Sequence, residues 1–266
     1  MSGSGNDFVM VDGRNSQPAA WTPLDIQTVC ARGTGVGADG LVFLTPGAEA
    51  GAVRMTYFNS DGSRAAMCGN AALCSTWLAA HLGMAPATGM CLETDAGVYQ
   101  SRQTADPSRA ALGLSPVASA RDMPQLKAAQ GESRVALATV GVPHLVILAD
   151  EVDRLDVVDR GRALRSDPAL GPEGANVNFI SPGPSGSEWR MRTYERGVEG
   201  ETLACGTGAV AAAVVLAQWE LASFPVTIIT RSDRRLDVQA REVPGGHYGD
   251  VWLTGEARLV FRGVLG

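Results

Sequence analysis

Two segments of the chain are rich in alanine and free of Asp, Glu, Lys and Arg, and each predicts a buried helix. They read NAALCSTWLAAHL over residues 70–82 and TGAVAAAVVLAQW over residues 207–219. A helix on a protein surface keeps a polar face towards water, so segments without one are expected to be covered on most of their circumference. A third helix is predicted over residues 23–31.

Short apolar runs predict strands around these helices. They cover residues 8–11, 41–44, 53–58, 135–140, 145–148, 189–194, 226–230 and 251–254. Short strands followed by one Ala-rich helix occur in each half of the chain. The pattern predicts an α+β fold in which strands wrap around a buried helix.

The chain repeats itself at about half its length. Tyr57 lies eleven residues before Cys68, and Tyr194 lies eleven residues before Cys205, at an offset of 137. Further matches at offsets of 136 or 137 are Gly5 with Gly141, Gly37 with Gly174, and Thr94 with Thr230. Several matches in order at a nearly constant offset indicate an internal duplication.

The duplication predicts two pseudo-symmetric lobes, each a strand-rich sheet or barrel around one helix. The first lobe is expected over residues 1–122 and the second over residues 133–255. A segment around residues 123–131 joins them, and residues 256–266 are expected to return and complete the first lobe.

The composition excludes several classes of protein. The chain has 266 residues and a formal net charge of −6 at pH 7. A nucleic-acid-binding protein that acts through bulk electrostatics needs a basic face, so no nucleic-acid partner is expected. No apolar run reaches the ~18 residues of a membrane span, and no secretory signal opens the chain. The expected location is the cytoplasm, with no membrane partner.

The sequence also contains few residues that could bind a cofactor or a metal. Lys127 is its only lysine, and a pyridoxal-phosphate enzyme needs a well-placed lysine for its Schiff base. The five cysteines are an odd number without CxxC spacing or a histidine cluster, which argues against a disulfide framework and a zinc site. Cys30, Cys74 and Cys91 are expected to be small buried core residues.

Cys68 and Cys205 differ from the other cysteines because each precedes a glycine at the start of a predicted helix. Asn70 and Thr207 are the expected caps of these helices. A helix N-terminus favours a thiolate and lowers its pKa, and its unpaired N–H groups bind carboxylates. The glycine lets a ligand approach the backbone closely.

Such a pair of thiols suits racemisation or epimerisation. If the two helix starts face each other across a cleft between the lobes, a bound amino acid has one thiol on each face of its α-carbon. One thiolate can remove the α-proton while the other thiol returns a proton to the opposite face. N–H groups of both helices can stabilise the negative charge that develops on the carboxylate.

Further motifs carry a resemblance to a known family. They are GNDF at residues 5–8, GVGADG at 35–40, FNSDGS at 58–63, MCGN at 67–70, GVPH at 141–144, GANVNF at 174–179, YERG at 194–197 and TLACGTG at 202–208. In this order they resemble diaminopimelate epimerase from residue 3 to about residue 262. The resemblance implies a cofactor-independent enzyme that interconverts LL- and meso-diaminopimelate, in lysine and peptidoglycan precursor biosynthesis, on the two-lobed fold shared with proline racemase.

The resemblance also implies roles for residues of this chain. Cys68 and Cys205 match the two acid/base residues. The implied substrate contacts are Asn6, Asn59, Asn176, Glu195 and Arg196, together with backbone N–H groups of Gly69, Asn70, Gly206 and Thr207. No cofactor and no metal are implied, the partner is a small amino-acid substrate, and a homodimer is expected.

Two positions depart from the pattern of that family. Ala71 stands where a glycine is usual, and Val142 stands where an asparagine often contacts the substrate. A racemase of another amino acid, of the proline, hydroxyproline or histidine type, therefore stays open. A non-catalytic amino-acid-binding protein on the same fold stays open too, and a cysteine hydrolase is a weaker choice. His144 is expected to be structural.

Overall fold

The computed structural model describes residues 1–265, which form two compact units. The first unit comprises Met1–Leu114 together with the residues from Thr254 onwards, and the second comprises Ser115–Leu253. The two parts of the first unit meet in a short antiparallel bridge, in which the N–H of Ser2 donates to the carbonyl of Arg258 at 2.8 Å. The first unit is therefore discontinuous in sequence.

The first unit consists of short strands and two α-helices. Its strands are β1 (Ser2–Gly3), β2 (Asn6–Asp12), β3 (Gly40–Pro46), β4 (Ala52–Asn59), β5 (Arg64–Ala65), β6 (Met90–Thr94), β7 (Gly97–Gln103) and β8 (Arg109–Leu114). Its α-helices are α1 (Pro23–Cys30) and α2 (Gly69–His81), and a short 3-10 helix covers Pro18–Ala20.

The second unit has a matching set of elements. Its strands are β9 (Val117–Ala118), β10 (Arg121–Asp122), β11 (Glu132–Val140), β12 (Val142–Ala149), β13 (Asn176–Pro182), β14 (Glu188–Glu195), β15 (Gly200–Thr202), β16 (Val226–Ile229), β17 (Arg235–Val243) and most of β18 (His247–Glu256). Its α-helices are α3 (Val157–Arg165) and α4 (Gly206–Gln218), and 3-10 helices cover Val152–Arg154 and Pro168–Leu170.

The two units repeat one sequence of strand pairings. In the first, β2 pairs with β3 in parallel, β3 with β4 antiparallel, β4 with β6 in parallel and β6 with β7 antiparallel. In the second, the same relations join β12 with β13, β13 with β14, β14 with β16 and β16 with β17. Parallel neighbours need a crossover connection. Helices α1 and α2 supply it in the first unit, and α3 and α4 supply it in the second.

Helices α2 and α4 form the buried centres of their units. In α4 every residue from Gly208 to Leu216 is buried, and in α2 the run from Asn70 to Thr76 is buried. Strands with apolar inner faces cover both helices, as the absence of charge predicts. The predicted α+β class is confirmed, and all eight predicted apolar runs fall on strands, with only Thr230 lying just beyond β16.

One helix of the structure was not predicted. Helix α3 was not among the predicted helices, because its sequence VVDRGRALR is highly charged and buries only Val157, Gly161 and Leu164. In the segment expected to join the lobes, Met123 and Leu126 are buried in a core of the second unit. Among residues 1–265, no helix is long and apolar enough to cross a membrane.

Candidate active site

Cys68 lies directly before the first residue of α2. Its backbone is extended, with φ −143° and ψ 121°, and its carbonyl accepts a hydrogen bond from the N–H of Ala72 at 2.9 Å. It is thus the N-cap residue of the helix. The first N–H groups of an α-helix have no acceptor within the helix, so the amides of Gly69 and Asn70 can bind an anion next to the thiol.

The expected capping role of Asn70 is wrong. The N-terminus of α2 has no side-chain cap, and Asn70 is its second residue. Its Nδ2 instead donates to Oδ1 of Asn6 at 2.7 Å, and Nδ2 of Asn6 donates to Oδ2 of Asp39 at 2.9 Å. The structure therefore brings two predicted substrate contacts, Asn6 and Asn70, into direct contact beside Cys68.

Asn59 ends strand β4 next to the same acidic residue. It lies opposite Gly40 in the sheet, and the N–H of the following Ser60 donates to the carbonyl of Asp39 at 3.1 Å. Nδ2 of Asn59 donates to Oγ of Ser63 at 3.0 Å, which holds the turn that follows β4. The set that we call the Cys68 cluster consists of Asn6, Asn59, Cys68, Gly69 and Asn70.

Cys205 has the same place in the second unit. It is buried, its backbone is extended, and it is the N-cap residue of α4. Thr207, expected to cap the helix, is its second residue, so that expectation is also wrong. Oγ1 of Thr207 lies 3.7 Å from Sγ of Cys205 and hydrogen-bonds with it.

The electrostatics at Cys205 contradict the expected low thiol pKa. Burial and the negative charge of Glu195 raise the pKa of the Cys205 thiol well above its ordinary range. The N–H of Gly208 and the hydroxyl of Thr207 act in the opposite direction but do not prevail. The helix terminus was expected to dominate, but desolvation and a neighbouring carboxylate outweigh it. Cys205 is therefore a protonated thiol at neutral pH.

Glu195 ends strand β14 and faces Cys205. Its Oε1 accepts a hydrogen bond from Oγ1 of Thr202 at 2.5 Å. Burial raises the pKa of Glu195, while hydrogen bonds from Thr202 and Cys205 lower it by less. The carboxylate is thus held beside the thiol by the β14–β15 hairpin.

Asn176 and Arg196 meet beside Glu195. Oδ1 of Asn176 accepts a hydrogen bond from the backbone N–H of Arg196 at 2.8 Å. The Arg196 guanidinium pairs at 3.1 Å with Glu173, whose side chain is exposed. Exposed ion pairs are weak, so this guanidinium can exchange its partner for a ligand carboxylate. The set that we call the Cys205 cluster consists of Asn176, Glu195, Arg196, Cys205, Gly206 and Thr207.

His144 and Asn178 form a buried polar contact behind these residues. Nδ1 of His144 lies 3.3 Å from Nδ2 of Asn178, whose Oδ1 accepts a hydrogen bond from Thr193 at 3.0 Å. Burial, followed by the charge of Arg196, lowers the pKa of His144 to about 3. The histidine is therefore neutral at neutral pH.

Three polar residues next to the clusters were not predicted from the sequence. Asp39 accepts from Asn6, Arg32 pairs with Asp39, and Asn178 lies against Gly208 in the first turn of α4. Asp39 and Asn178 lie inside the motifs GVGADG and GANVNF, which was the available signal. Arg32 lies outside every motif used.

The other cysteines divide into two groups. Cys30 and Cys74 are buried, as expected, and burial raises the pKa of their thiols to about 11 and about 12. Cys91 is partly exposed, contrary to expectation, and its Sγ accepts a hydrogen bond from Gln100. Within residues 1–265, no cluster of three or more His, Cys, Asp or Glu side chains could hold a metal ion.

Comparison with solved structures shows which fold this is. A phenazine biosynthesis protein of the PhzF family from Bacillus anthracis matches with a TM-score of 0.72 at 14% identity, over 96% of this chain and 92% of that one. A hydroxyproline epimerase from Agrobacterium vitis matches with a TM-score of 0.60 at 20% identity, over 91% of this chain and 79% of that one. The protein has the fold that these two proteins share.

Comparison of sequences is more specific. The family model described as diaminopimelate epimerase matches residues 1–112 and 136–246. A diaminopimelate epimerase from Gemmatimonas aurantiaca is 49% identical over all of this chain and 97% of its own length. Another from Aquifex aeolicus is 36% identical over all of this chain and 96% of its own length. The chain belongs to the diaminopimelate epimerase family.

Proposed function

We propose that the protein is an isomerase, a diaminopimelate epimerase that interconverts LL- and meso-2,6-diaminopimelate without a cofactor. Full-length relatives of that name support diaminopimelate over the proline-type substrates. The observation that carries the proposal is that Cys68 and Cys205 occupy equivalent positions, each as the N-cap residue of the buried crossover helix of its unit.

We propose that the two thiols act on opposite faces of one α-carbon. The raised pKa of Cys205 suits this thiol to the role of proton donor. Cys68, as a thiolate, then takes the α-proton, and Cys205 delivers its own proton to the other face. No proton is gained or lost overall, and the sulfurs have exchanged roles when the product forms. The reverse reaction starts from that state.

The negative charge that develops on the substrate carboxylate needs hydrogen-bond donors. The first amides of α2 and α4, those of Gly69, Asn70, Gly206 and Thr207, are the donors in this proposal. Each comes with the positive end of a helix dipole. They stabilise the carbanion more than the ground state because charge moves towards them during proton removal.

The remaining residues of the two clusters are proposed as substrate contacts. Diaminopimelate has a second amino-acid end, which needs a cation for its carboxylate and acceptors for its ammonium group. Arg196 can bind a carboxylate in bidentate geometry. Glu195 can accept from an ammonium, and the amides of Asn6, Asn59 and Asn176 combine donors with acceptors.

The reaction belongs to the biosynthesis of lysine and of peptidoglycan precursors. A homodimer and a cytoplasmic location remain predictions of the sequence analysis.

Isotope uptake tests the proposed reaction. Reduced protein is incubated with LL-diaminopimelate in deuterium oxide, and deuterium is expected at the α-carbon of the inverted centre in the meso product. Proline, histidine and glutamate serve as comparison substrates and are expected to take up none. Uptake into one of them but not into diaminopimelate would assign the protein to another substrate, and no uptake at all would remove the proposed activity.

A further inference from the structure

Two carboxylates beside the Cys68 cluster are locked together by an arginine. The N–H of Asp7 donates to Oδ2 of Asp39 at 3.2 Å, and the N–H of Asp39 donates to Oδ1 of Asp7 at 2.9 Å. Arg32 donates to both oxygens of Asp7 and to Oδ1 of Asp39, at 2.7 to 2.9 Å. The position of the Asp39 carboxylate is thus fixed from two sides.

A chain of side-chain hydrogen bonds leads from this carboxylate to the helix of Cys68. Oδ2 of Asp39 accepts from Nδ2 of Asn6, and Oδ1 of Asn6 accepts from Nδ2 of Asn70. An ionised carboxylate can only accept, so Asn6 must turn its Nδ2 towards Asp39. Its Oδ1 then faces Asn70, which must donate in turn. The charge at Asp39 therefore sets the direction of both amides.

The last atom of this series of hydrogen bonds, Oδ1 of Asn70, has no partner in the part of the protein that the structure describes. Asn70 is 3% exposed, and its Oδ1 has no hydrogen-bond partner among residues 1–265. A buried acceptor without a donor is costly, so such an atom in a binding site indicates a group that the ligand supplies. The ammonium of an amino acid is a donor of the required charge and size.

We propose that Asp39 is a positioning residue that orients Asn6 and Asn70 so that Oδ1 of Asn70 is presented to the ammonium group of the amino-acid substrate. The assignment of that ammonium rests on the proposed function, whereas the orientation of the two amides does not. Arg32 holds Asp39 in place. This role of the Asn70 side chain is separate from the role proposed for the Asn70 backbone N–H, which binds the substrate carboxylate.

Asp7 offers a control because, like Asp39, it pairs with Arg32 and accepts a backbone N–H, whereas the hydrogen bond from Nδ2 of Asn6 goes to Asp39. Both are half-exposed carboxylates that pair with Arg32 and accept a backbone N–H. Asp7→Asn and Asp39→Asn therefore remove equal charge from one ion pair. Only Asp39→Asn changes the acceptor of Asn6, because the carboxylate oxygen that accepts from Nδ2 of Asn6 and from the N–H of Asp7 becomes part of a neutral amide. The charge that orients Asn6 and Asn70 is then lost, and the hydrogen bonds that present Oδ1 of Asn70 to the substrate are weakened.

Steady-state kinetics with LL-diaminopimelate separate the two variants. Asp39→Asn is expected to raise KM by about tenfold or more while kcat changes little, since a hydrogen bond to a charged group is lost in the ground state and the transition state alike. Asp7→Asn is expected to leave KM within about twofold. Equal changes in the two variants would reduce Asp39 to a structural role and overturn the proposal.

Side-chain amide NMR signals decide the orientation independently of activity. The Asn6 and Asn70 signals, assigned by their loss in Asn6→Ala and Asn70→Ala, are expected to shift in Asp39→Asn and to stay in place in Asp7→Asn. In the wild-type protein, the Nδ2 protons of Asn70 are expected to be protected from exchange, which remains measurable if Asp39→Asn does not fold. The proposal would be contradicted if the Nδ2 protons of Asn70 exchanged freely, or if the Asn6 and Asn70 signals did not shift in Asp39→Asn. Wild-type protein without isotope uptake would instead refute the proposed function.

Discussion

Gly208 lies so close to Asn178 that a Cβ atom at position 208 would overlap Oδ1 of Asn178. The same Cβ atom would lie 3.2 Å from Sγ of Cys205. The backbone N–H of Gly208 also hydrogen-bonds with that sulfur and favours its thiolate. One residue without a side chain therefore lets the first turn of α4 sit against a buried asparagine and a reactive thiol.

Gly208→Ala is expected to destabilise the protein by about 1–3 kcal/mol, the usual cost of overpacking a buried site. Asn178 is buried and held by Thr193, so it cannot move aside freely. Chemical denaturation measures the free energy of unfolding. Gly200→Ala is the control, because a Cβ atom there meets no atom within 4 Å. Equal stability of the two variants would show that the first turn of α4 accommodates a methyl group.

Glu195→Gln is expected to lower the pKa of the Cys205 thiol. The negative charge of Glu195 is the second cause of the raised pKa after burial, so neutralising it removes part of the shift and leaves the rest. The pH dependence of Cys205 alkylation, followed by mass spectrometry of the peptide, should move to lower pH. Glu188→Gln, at the opposite end of the same strand, should not move it. An unchanged midpoint in Glu195→Gln would exclude this electrostatic coupling.

The neutral state of His144 predicts a loss of stability in acid. Its pKa is lowered from 6.5 to about 3 in the folded protein. As the pH falls below 6.5, the unfolded chain takes up a proton that the folded protein refuses. The free energy of unfolding therefore falls between about pH 6.5 and pH 3, by at most about 1.4 kcal/mol per pH unit from this group.

Denaturation at a series of pH values measures this contribution. His144→Gln should flatten the slope relative to the wild-type protein, whatever its effect on absolute stability. His247 is exposed, so His247→Gln should retain the wild-type slope. Identical slopes in wild-type protein and His144→Gln would mean that His144 titrates alike in both states.

Cys68→Ala and Cys205→Ala are each expected to reduce epimerisation by about a thousandfold or more, because a proton donor or acceptor is removed from one face of the substrate. Cys91→Ala serves as the control, since this partly exposed thiol lies on β6 and contacts Gln100. Chiral chromatography of the products follows the reaction. Full activity in either of the first two variants would refute the two-base mechanism.

The sequence predicted α1, α2 and α4, and for α2 and α4 the composition alone demands burial. Absence of charge placed α2 and α4 to within one residue at each end, because such segments have no other stable environment. Helix α3 is charged, and the sequence marks it only by the residues at its two ends. Asp156 accepts from the N–H of Asp159 at its start, and arginines stand in its last turn. The duplication also points to it, since α1 and α3 connect equivalent parallel strands.

The residue types of the candidate site could be predicted from the sequence motifs, but the contacts between these residues could not. Motifs named Asn6 and Asn70 as separate substrate contacts, whereas the structure joins them in one chain that begins at Asp39. The expected low pKa of Cys205 failed for a similar reason. A helix start is visible in a sequence, but the burial of the sulfur and the approach of Glu195 depend on strands that pair over a distance.

The bridge between Ser2 and Arg258 determines which unit can complete its fold first during synthesis on the ribosome. Residues 115–253 are contiguous, so the second unit has its whole sequence once it leaves the exit tunnel. The first unit cannot complete its hydrogen bonds at that stage. The backbone of Ser2 pairs with Arg258, and the carbonyl of Ser108 accepts from Ala257, so both need residues that are synthesised more than a hundred positions later. The half of the nascent chain that is translated first is therefore the half that matures last.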